Sequence, residues 1–547
     1  MQFDPILPPT RVKAMTAQGY WKGLILTDYF DRCLAEVPDK TAVVDFNSTA
    51  QTENRLTYRE LAARVDRIAV GLIRRSIEKN DIVSCQLPNW WQFIALTLAC
   101  SRIGAVINPL MTIFRERELK FMLGLAESKL LVVPRQFRGF DYAAMARGIC
   151  SELRHLRGLL VIGGDGQESF EEILLDPKRE ASSEATAQFS AHRPNPDDVI
   201  QLLYTSGTTG EPKGVMHTAN TLFSNLRPFA ERLQLGRNDV VLMASPMAHQ
   251  TGFMYGLLMP VMLGVTAVLQ DIWEPKRAAE RIGHEAVTFT MASTPFLSDL
   301  TDVVGTCGYV VPSLRIFLSA GAPIPRVLVE RATQALKANI VSAWGMTENG
   351  AVTTTRLDDS PQKIFHTDGC PLPGMEVRVT DPANKPLPPG TEGMLKVRGC
   401  SNFVGYLKRP QLYGHDADGW FDTGDLARID ADGFIRITGR SKDIIIRGGE
   451  NIPVVEIEGL LFRHPAIQAV AIVGFPDRRL GERACAFVVV KPGETFSHEE
   501  MVRFLEQEKI AKQYLPERLE IVEDLPRTPS GKVQKFKLRE LVKRLEF

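Results

Sequence analysis

Four times before residue 346, a stretch with apolar residues at three- and four-residue spacing gives way to a short apolar run. "LTYRELAARVDRIAVGLIRRSI" leads into "DIVSCQLP". "WWQFIALTLACSRIGAVINPL", "PKRAAERIGHEAVTFTMAS" and "PRVLVERATQALKANIVSAWG" repeat the switch. The first period suits a helix with one buried face, the second a strand buried on both. Strands and helices in alternation bury those faces together in α/β layers around a largely parallel sheet, and this is the fold class expected for the first half.

The chain has 547 residues, 44% of them apolar and 24% charged, enough for a large core and more than one domain. Its formal net charge is zero, so no whole-molecule field favours nucleic acid, and none is expected as a partner. The eight cysteines are scattered without metal-ligand spacing and read as reduced, mostly buried thiols. "MQFDPILPPTRVKAM" lacks the apolar core of a secretory signal. The most apolar stretch, Gly256–Leu269, is too short to span a bilayer and contains Pro260. It reads as a core helix running into a buried strand. No transmembrane segment and a cytoplasmic location are expected.

The character changes after about Asp381. "DPANKPLPPGTEGMLKVRG" is rich in Pro and Gly and leads into short strands, with a hairpin signal at Ala431-Asp432-Gly433 and another at Arg447-Gly448-Gly449. The last hundred or so residues read as a small α+β domain. The expected division is an N-terminal domain over 1–440, with a β-rich subdomain from about 375, and a mobile C-terminal domain over 441–547.

One stretch carries chemistry on its face. "LLYTSGTTGEPKGV", Leu202 to Val215, surrounds Lys213 with small and hydroxylated residues. A P-loop opens directly into a helix after its lysine. Here Pro212 and Gly214 flank Lys213, "VMHT" reads as strand, and a helix is expected only from about Thr218. The stretch is therefore a loop between strands, still able to wrap a polyphosphate with hydroxyls, N–H groups and one cation.

That stretch resembles the phosphate loop of the acyl-adenylate-forming superfamily: acyl-CoA synthetases, adenylation domains of peptide synthetases and beetle luciferases. Further boxes follow in the family's order. "SAGAPIP" resembles its adenine-side segment, "SAWGMTENG" its Y-G-x-T-E box and "WFDTGDLARID" its T-G-D box. "ITGRSKDIIIRGGENI" resembles its hinge and following loop, and "LPRTPSGKVQKFKLR" its C-terminal lysine box. The resemblance runs from about Leu26 to the end. It is greatest to bacterial short- to medium-chain fatty acyl-CoA synthetases and alicyclic acid CoA ligases.

The resemblance implies a two-step reaction. A carboxylate attacks the α-phosphate of ATP, pyrophosphate leaves, and a thiol then displaces AMP from the acyl-AMP. It also implies roles. Thr205, Ser206, Gly207, Thr208, Thr209, Gly210 and Lys213 would hold the departing phosphates. Gly321, Ala322, Pro323, Trp344 and Gly345 would line the adenine, with Trp344, in place of the usual tyrosine, stacking on it. Thr347 would reach the α-phosphate and Glu348 would hold Mg2+, which suits one carboxylate plus substrate oxygens. Asp425 would accept from the ribose hydroxyls, with Arg440 nearby. Lys532 would carry the first step. Lys442 would be the hinge, and Gly448 and Gly449 would border the pantetheine tunnel of coenzyme A. His249 would be the acyl gate. Asp422 reads as a turn residue, Lys535 and Lys537 as solvated charges, and His366 and Asp368 have no assigned role.

No carboxylate stands among Met247, Ala248, Gln250 and Thr251, so an amino acid substrate would bury its ammonium unpaired. The expected substrates are a small to medium apolar carboxylic acid, ATP and CoA. A carrier-protein thiol as acceptor and a non-catalytic nucleotide or acyl-CoA binder are the alternatives. The end of the chain at Phe547 leaves no fused carrier domain, which favours CoA. A homodimer is among the assemblies the sequence allows.

Overall fold

The computed structural model describes residues 3–176, 183–205, 211–321, 324–447 and 450–545, with backbone alone at 183–186, 442, 450 and 451. Two α/β sheets form its larger part. The first has six strands in the order Lys213–Thr218, Val199–Thr205, Val106–Pro109, Ile82–Cys85, Leu130–Pro134 and Gly158–Ile162. All its pairs are parallel except the outer one, where Lys213–Thr218 folds back on Val199–Thr205.

The second sheet has nine strands. Its middle pairs Asn339–Met346, Ile316–Ala320, Phe289–Ala292, Val240–Met243, Thr266–Gln270 and Thr41–Asn47 in parallel. Antiparallel strands close both edges. The helix Tyr58–Arg74 buries one face as its spacing predicts, whereas Trp91–Arg102 is buried on every side from Trp91 to Ser101, and both pack on these sheets in one shared core. The apolar stretch at Gly256–Leu269 is buried. It continues the wide π-turn Gly252–Leu258 into the helix Met259–Leu263 and then the strand Thr266–Gln270.

A third sheet is wholly antiparallel: Met375–Thr380, Gly393–Gly399, Phe421–Ile429 and Ile435–Arg440. Its last hairpin turns at Ala431-Asp432-Gly433 as the sequence suggests. Three residues in a tight turn, Ser441–Asp443, separate it from a fourth sheet beginning at Ile445. That sheet has its own apolar clusters on either side, covered by the helices Val454–Leu461, His498–Gln507 and Lys535–Arg544.

The N-terminal segment is tied to the loop that follows the strand Gly393–Gly399 of the third sheet. Ile6 N–H donates to the Val404 carbonyl, and the buried Arg11 guanidinium donates to the carbonyls of Gly399, Asn402 and Phe403. All eight cysteines are unpaired and six are buried. Among the described residues no helix is long and apolar enough to cross a membrane.

Candidate active site

The motifs meet at the carboxyl ends of the parallel strands, where open α/β sheets present loops and bind ligands. Thr205 ends one strand, and Lys213 opens its antiparallel partner directly opposite. The loop is therefore a strand-to-strand connection, and the helix starts at Ala219, capped by Thr218. Ser206, Gly207, Thr208, Thr209 and Gly210 lie outside the described residues, as do Ala322, Pro323, Gly448 and Gly449. Gly321 follows the strand Ile316–Ala320, beside the strand that carries Trp344. The strands flanking the Arg447-Gly448-Gly449 signal pair as a hairpin, with Arg447 opposite Glu450.

Thr347, Glu348 and Asn349 form the turn between Asn339–Met346 and Gly350–Thr354. The hairpin closes so tightly at Gly345 that a Cβ there would sit 2.0 Å from the Gly350 carbonyl oxygen. Side chains far away in sequence hold this turn. Asn225 Nδ2 donates to the carbonyls of Asn349 and Ala351, Tyr255 Oη donates to Asn225 Oδ1, and Ser401 Oγ donates to the Asn349 carbonyl. His217 Nε2 lies 2.8 Å from the Thr347 carbonyl oxygen, which can only accept, so this nitrogen carries the proton. Burial lowers the His217 pKa to about 4, so the ring is neutral.

Glu348 is buried and its backbone carbonyl accepts from Phe403 N–H. Its Oε1 accepts from Tyr406 Oη at 2.7 Å, and Lys213 Nζ donates to the same Tyr406 oxygen at 3.3 Å. No group of three or more His, Cys, Asp or Glu side chains able to hold a metal occurs among the described residues. One buried carboxylate beside a phosphate-type loop fits Mg2+, which keeps most of its shell as water and substrate oxygens.

Asp425 is buried, with Oδ2 hydrogen-bonded and Oδ1 in an ion pair but without a hydrogen-bond donor. Trp344 Nε1 donates to Oδ2 at 2.9 Å, and Arg440 Nε lies 2.9 Å from Oδ1. Asp425 and Arg440 face each other across neighbouring strands of the third sheet. The indole edge of Trp344 is thus committed to Asp425. Asp422 takes the Gly424 N–H as a turn residue does, and pairs with Lys396.

Lys532 comes from the far end of the chain to the same place. Its ammonium, after burial itself, is what lowers the His249 pKa to about 4. His249 is therefore neutral, and its Nδ1 accepts from Thr251 N–H at 3.4 Å. Preceding Lys532, Gly531 has φ +83°, and a Cβ there would lie 2.3 Å from Ser293 Oγ. Ser293 follows the strand Phe289–Ala292 of the nine-stranded sheet. A glycine is needed for the lysine loop to dock this closely.

Lys442 has its backbone in the tight turn Ser441–Asp443; its side chain lies outside the described residues. Lys535 corrects the sequence reading. It is paired at 2.6 Å with Glu458 of the helix Val454–Leu461, whereas Lys537 is exposed. Asp368 acquires a structural place: its Oδ2 accepts Ile437 N–H at 2.8 Å and its carbonyl accepts from Thr353 Oγ1, tying the second sheet to the strand that ends at Arg440. Tyr406, His217, Asn225 and Tyr255 were not legible beforehand. Each is an ordinary buried residue in sequence, and only tertiary proximity gives it a part.

Strand-end loops of this kind, with a lysine, a buried carboxylate on a turn and a clamped second carboxylate, define a nucleotide-binding α/β enzyme. Two family descriptions match, the AMP-binding enzyme over residues 30–407 and the AMP-binding enzyme C-terminal domain over 456–532. The medium-chain fatty-acid–CoA ligase of Escherichia coli K12 is 37% identical over 541 residues, covering 98% of this chain and 93% of its own. The salicylyl-CoA synthase / salicylate adenylyltransferase of a Streptomyces species is 34% identical, covering 96% and 95%. Among solved structures, ATP-bound MatB of Rhodopseudomonas palustris superposes with a TM-score of 0.81 at 28% identity, over 95% of this chain and 99% of that one. The chain belongs to the AMP-binding enzyme family.

Proposed function

We propose that this chain is an ATP-dependent, AMP-forming acid–CoA ligase whose acid is a short- or medium-chain fatty or alicyclic carboxylate. The observation that carries the reading is the docking of the lysine loop on the large sheet, where Gly531 packs on Ser293 and Pro295. A lysine from the last fifteen-odd residues has no structural reason to reach the strand ends of the large sheet. It has a chemical one if a carboxylate and a phosphate must meet there.

In the first step a carboxylate oxygen attacks the α-phosphorus and the bond to pyrophosphate breaks. Lys532 neutralises the approaching oxygens, and Lys213 with the loop from Thr205 follows the charge onto pyrophosphate. Mg2+ bound at Glu348 would supply charge against the triphosphate. Asp425, oriented by Trp344 and Arg440, holds the ribose, while Thr347 faces the α-phosphate. In the second step the CoA sulfur attacks the acyl carbon, the bond to AMP breaks, and the thiol proton is lost. Arg447, Gly448 and Gly449 border the path of the thiol arm. We assign residues 1–440 to the binding domain and 441–547 to a domain that turns about Lys442 between the two steps, since Lys532 and the 447–449 turn serve different steps.

The acid is read from its surroundings. Ala248, Phe253 and Ala351 are buried, and the segment 247–253 carries no carboxylate to pair a substrate ammonium. The relatives named above act on a fatty acid and on an aromatic acid. The test is exchange of labelled pyrophosphate into ATP across a panel of acids, followed by thioester formation with CoA or with a phosphopantetheinyl carrier protein. Exchange with octanoate- or cyclohexanecarboxylate-type acids and CoA-dependent thioester are expected. Exchange that is best with an amino acid or a dicarboxylate, or thioester formed only on the carrier, would overturn the reading.

A further inference from the structure

Tyr406 stands where three segments meet. Its backbone bridges to Val215, just after the phosphate loop. Leu407 N–H donates to the Gly214 carbonyl, and Phe403 N–H donates to that of Glu348. Its hydroxyl bridges two opposite charges: Lys213 Nζ at 3.3 Å on one side and Glu348 Oε1 at 2.7 Å on the other. The Lys213 ammonium also lies 4.4 Å from the centre of the Tyr406 ring.

This arrangement solves a problem that the site would otherwise have. A lysine and a glutamate with nothing between them in a partly buried place close into a direct ion pair. Each would then be lost to an incoming substrate, because breaking a desolvated pair is costly. With the phenol interposed, Glu348 accepts a neutral hydrogen bond and Lys213 rests on an oxygen and a ring face. Both contacts are weaker than a direct pair and can be exchanged for phosphate or metal.

We propose that Tyr406 is a positioning residue whose hydroxyl keeps Lys213 and Glu348 joined but apart, so that both stay available to a magnesium-bound triphosphate. The proposal rests on the ligase reading above. In Tyr406→Phe the lysine and glutamate collapse onto each other.

Calorimetric binding of Mg·ATP and of AMP tests it. AMP has no β- or γ-phosphate, so its Kd reports on the fold and the ribose site alone. In Tyr406→Phe the Kd for Mg·ATP should rise tenfold or more while that for AMP stays within twofold of wild type. Lys213→Met should cost less in the Phe background than in the wild type, because the lysine is already withdrawn there. A Phe variant that binds both nucleotides like wild type overturns the proposal, and so do equal losses for both nucleotides or additive effects with Lys213→Met. If Tyr406→Phe does not fold, Tyr406→Phe/Glu348→Gln carries the test, since it removes the carboxylate charge onto which Lys213 would collapse. Its Mg·ATP Kd should match that of Glu348→Gln alone, and a further loss overturns the proposal. A wild-type chain that binds no ATP would overturn the ligase reading together with this one. Wild-type binding with an unaffected Phe variant would overturn this one alone.

Discussion

Replacing Trp344 by Phe keeps an aromatic face at the proposed adenine position and deletes one N–H. That N–H is bonded to Asp425 Oδ2 at 2.9 Å in a buried setting. A hydrogen bond to a charged group contributes about 1.5–3 kcal/mol, and the loss leaves one carboxylate oxygen without its protein donor. Arg440 still pins Oδ1, so the carboxylate is loosened rather than freed. The share that appears in ATP affinity is therefore below that ceiling, about 1–2 kcal/mol, or roughly a 5- to 30-fold rise in Kd. The decisive comparison is a double-mutant cycle with Asp425→Ala, read by calorimetric ATP binding. If Trp344 acts by orienting Asp425, Trp344→Phe should change the Kd less than about twofold once Asp425 is gone. If its part is stacking alone, the loss should be the same in both backgrounds. Additive losses would refute the orientation argument and leave the bond a packing detail.

Three further outcomes are expected. Gly531→Ala places a methyl where Ser293 Oγ stands and holds alanine at φ +83°, so the lysine loop should undock; adenylation should fall at least about tenfold, with thioester formation from supplied acyl-AMP unchanged. Lys532→Ala should abolish acyl-AMP formation and spare the second half-reaction, whereas Lys442→Pro should do the reverse, each half-reaction being assayed separately. His217 and His415 have folded pKa values lowered to about 4, from 6.5, so protonation favours the unfolded chain: their stabilisation is complete above pH 6.5 and is lost as pH falls toward 4, up to about 3 kcal/mol each. His217→Gln, which can still donate to Thr347, should shift the acid unfolding midpoint to lower pH in a circular-dichroism titration; an unchanged midpoint would mean that the ring is protonated in the fold.

The α/β alternation was readable because each element buries itself with residues inside its own span. Thus Tyr58–Arg74 and the strand Ile82–Cys85 fall where the periods place them. The small-residue boxes were readable because tight turns and close approaches require particular residue types locally, as at Gly345 and Gly531. What escaped was everything that acts at a distance. Tyr406 reaches Glu348 from 58 positions away, and His217 reaches Thr347 from 130. Trp344 could be assigned a stacking face from its motif, but its N–H is claimed by a residue 81 positions on. Lys535 looked solvated because no acidic residue stands three or four positions from it, while its partner Glu458 sits on another helix.

The tie between Arg11 and the carbonyl of Asn402 joins residues 391 positions apart. During synthesis at about 5–20 residues per second, Arg11 leaves the ribosome roughly 20–80 s before its acceptors exist. For that interval the N-terminal segment lacks these acceptors, and the loop that carries Phe403 and Tyr406 has not been made. Closing so long a loop comes late in assembly, because its entropy must be met before the contact returns anything. The nucleotide site is thus completed near the end of translation. A nascent chain arrested before about residue 410 would hold most of its large sheets and yet be unable to take up ATP.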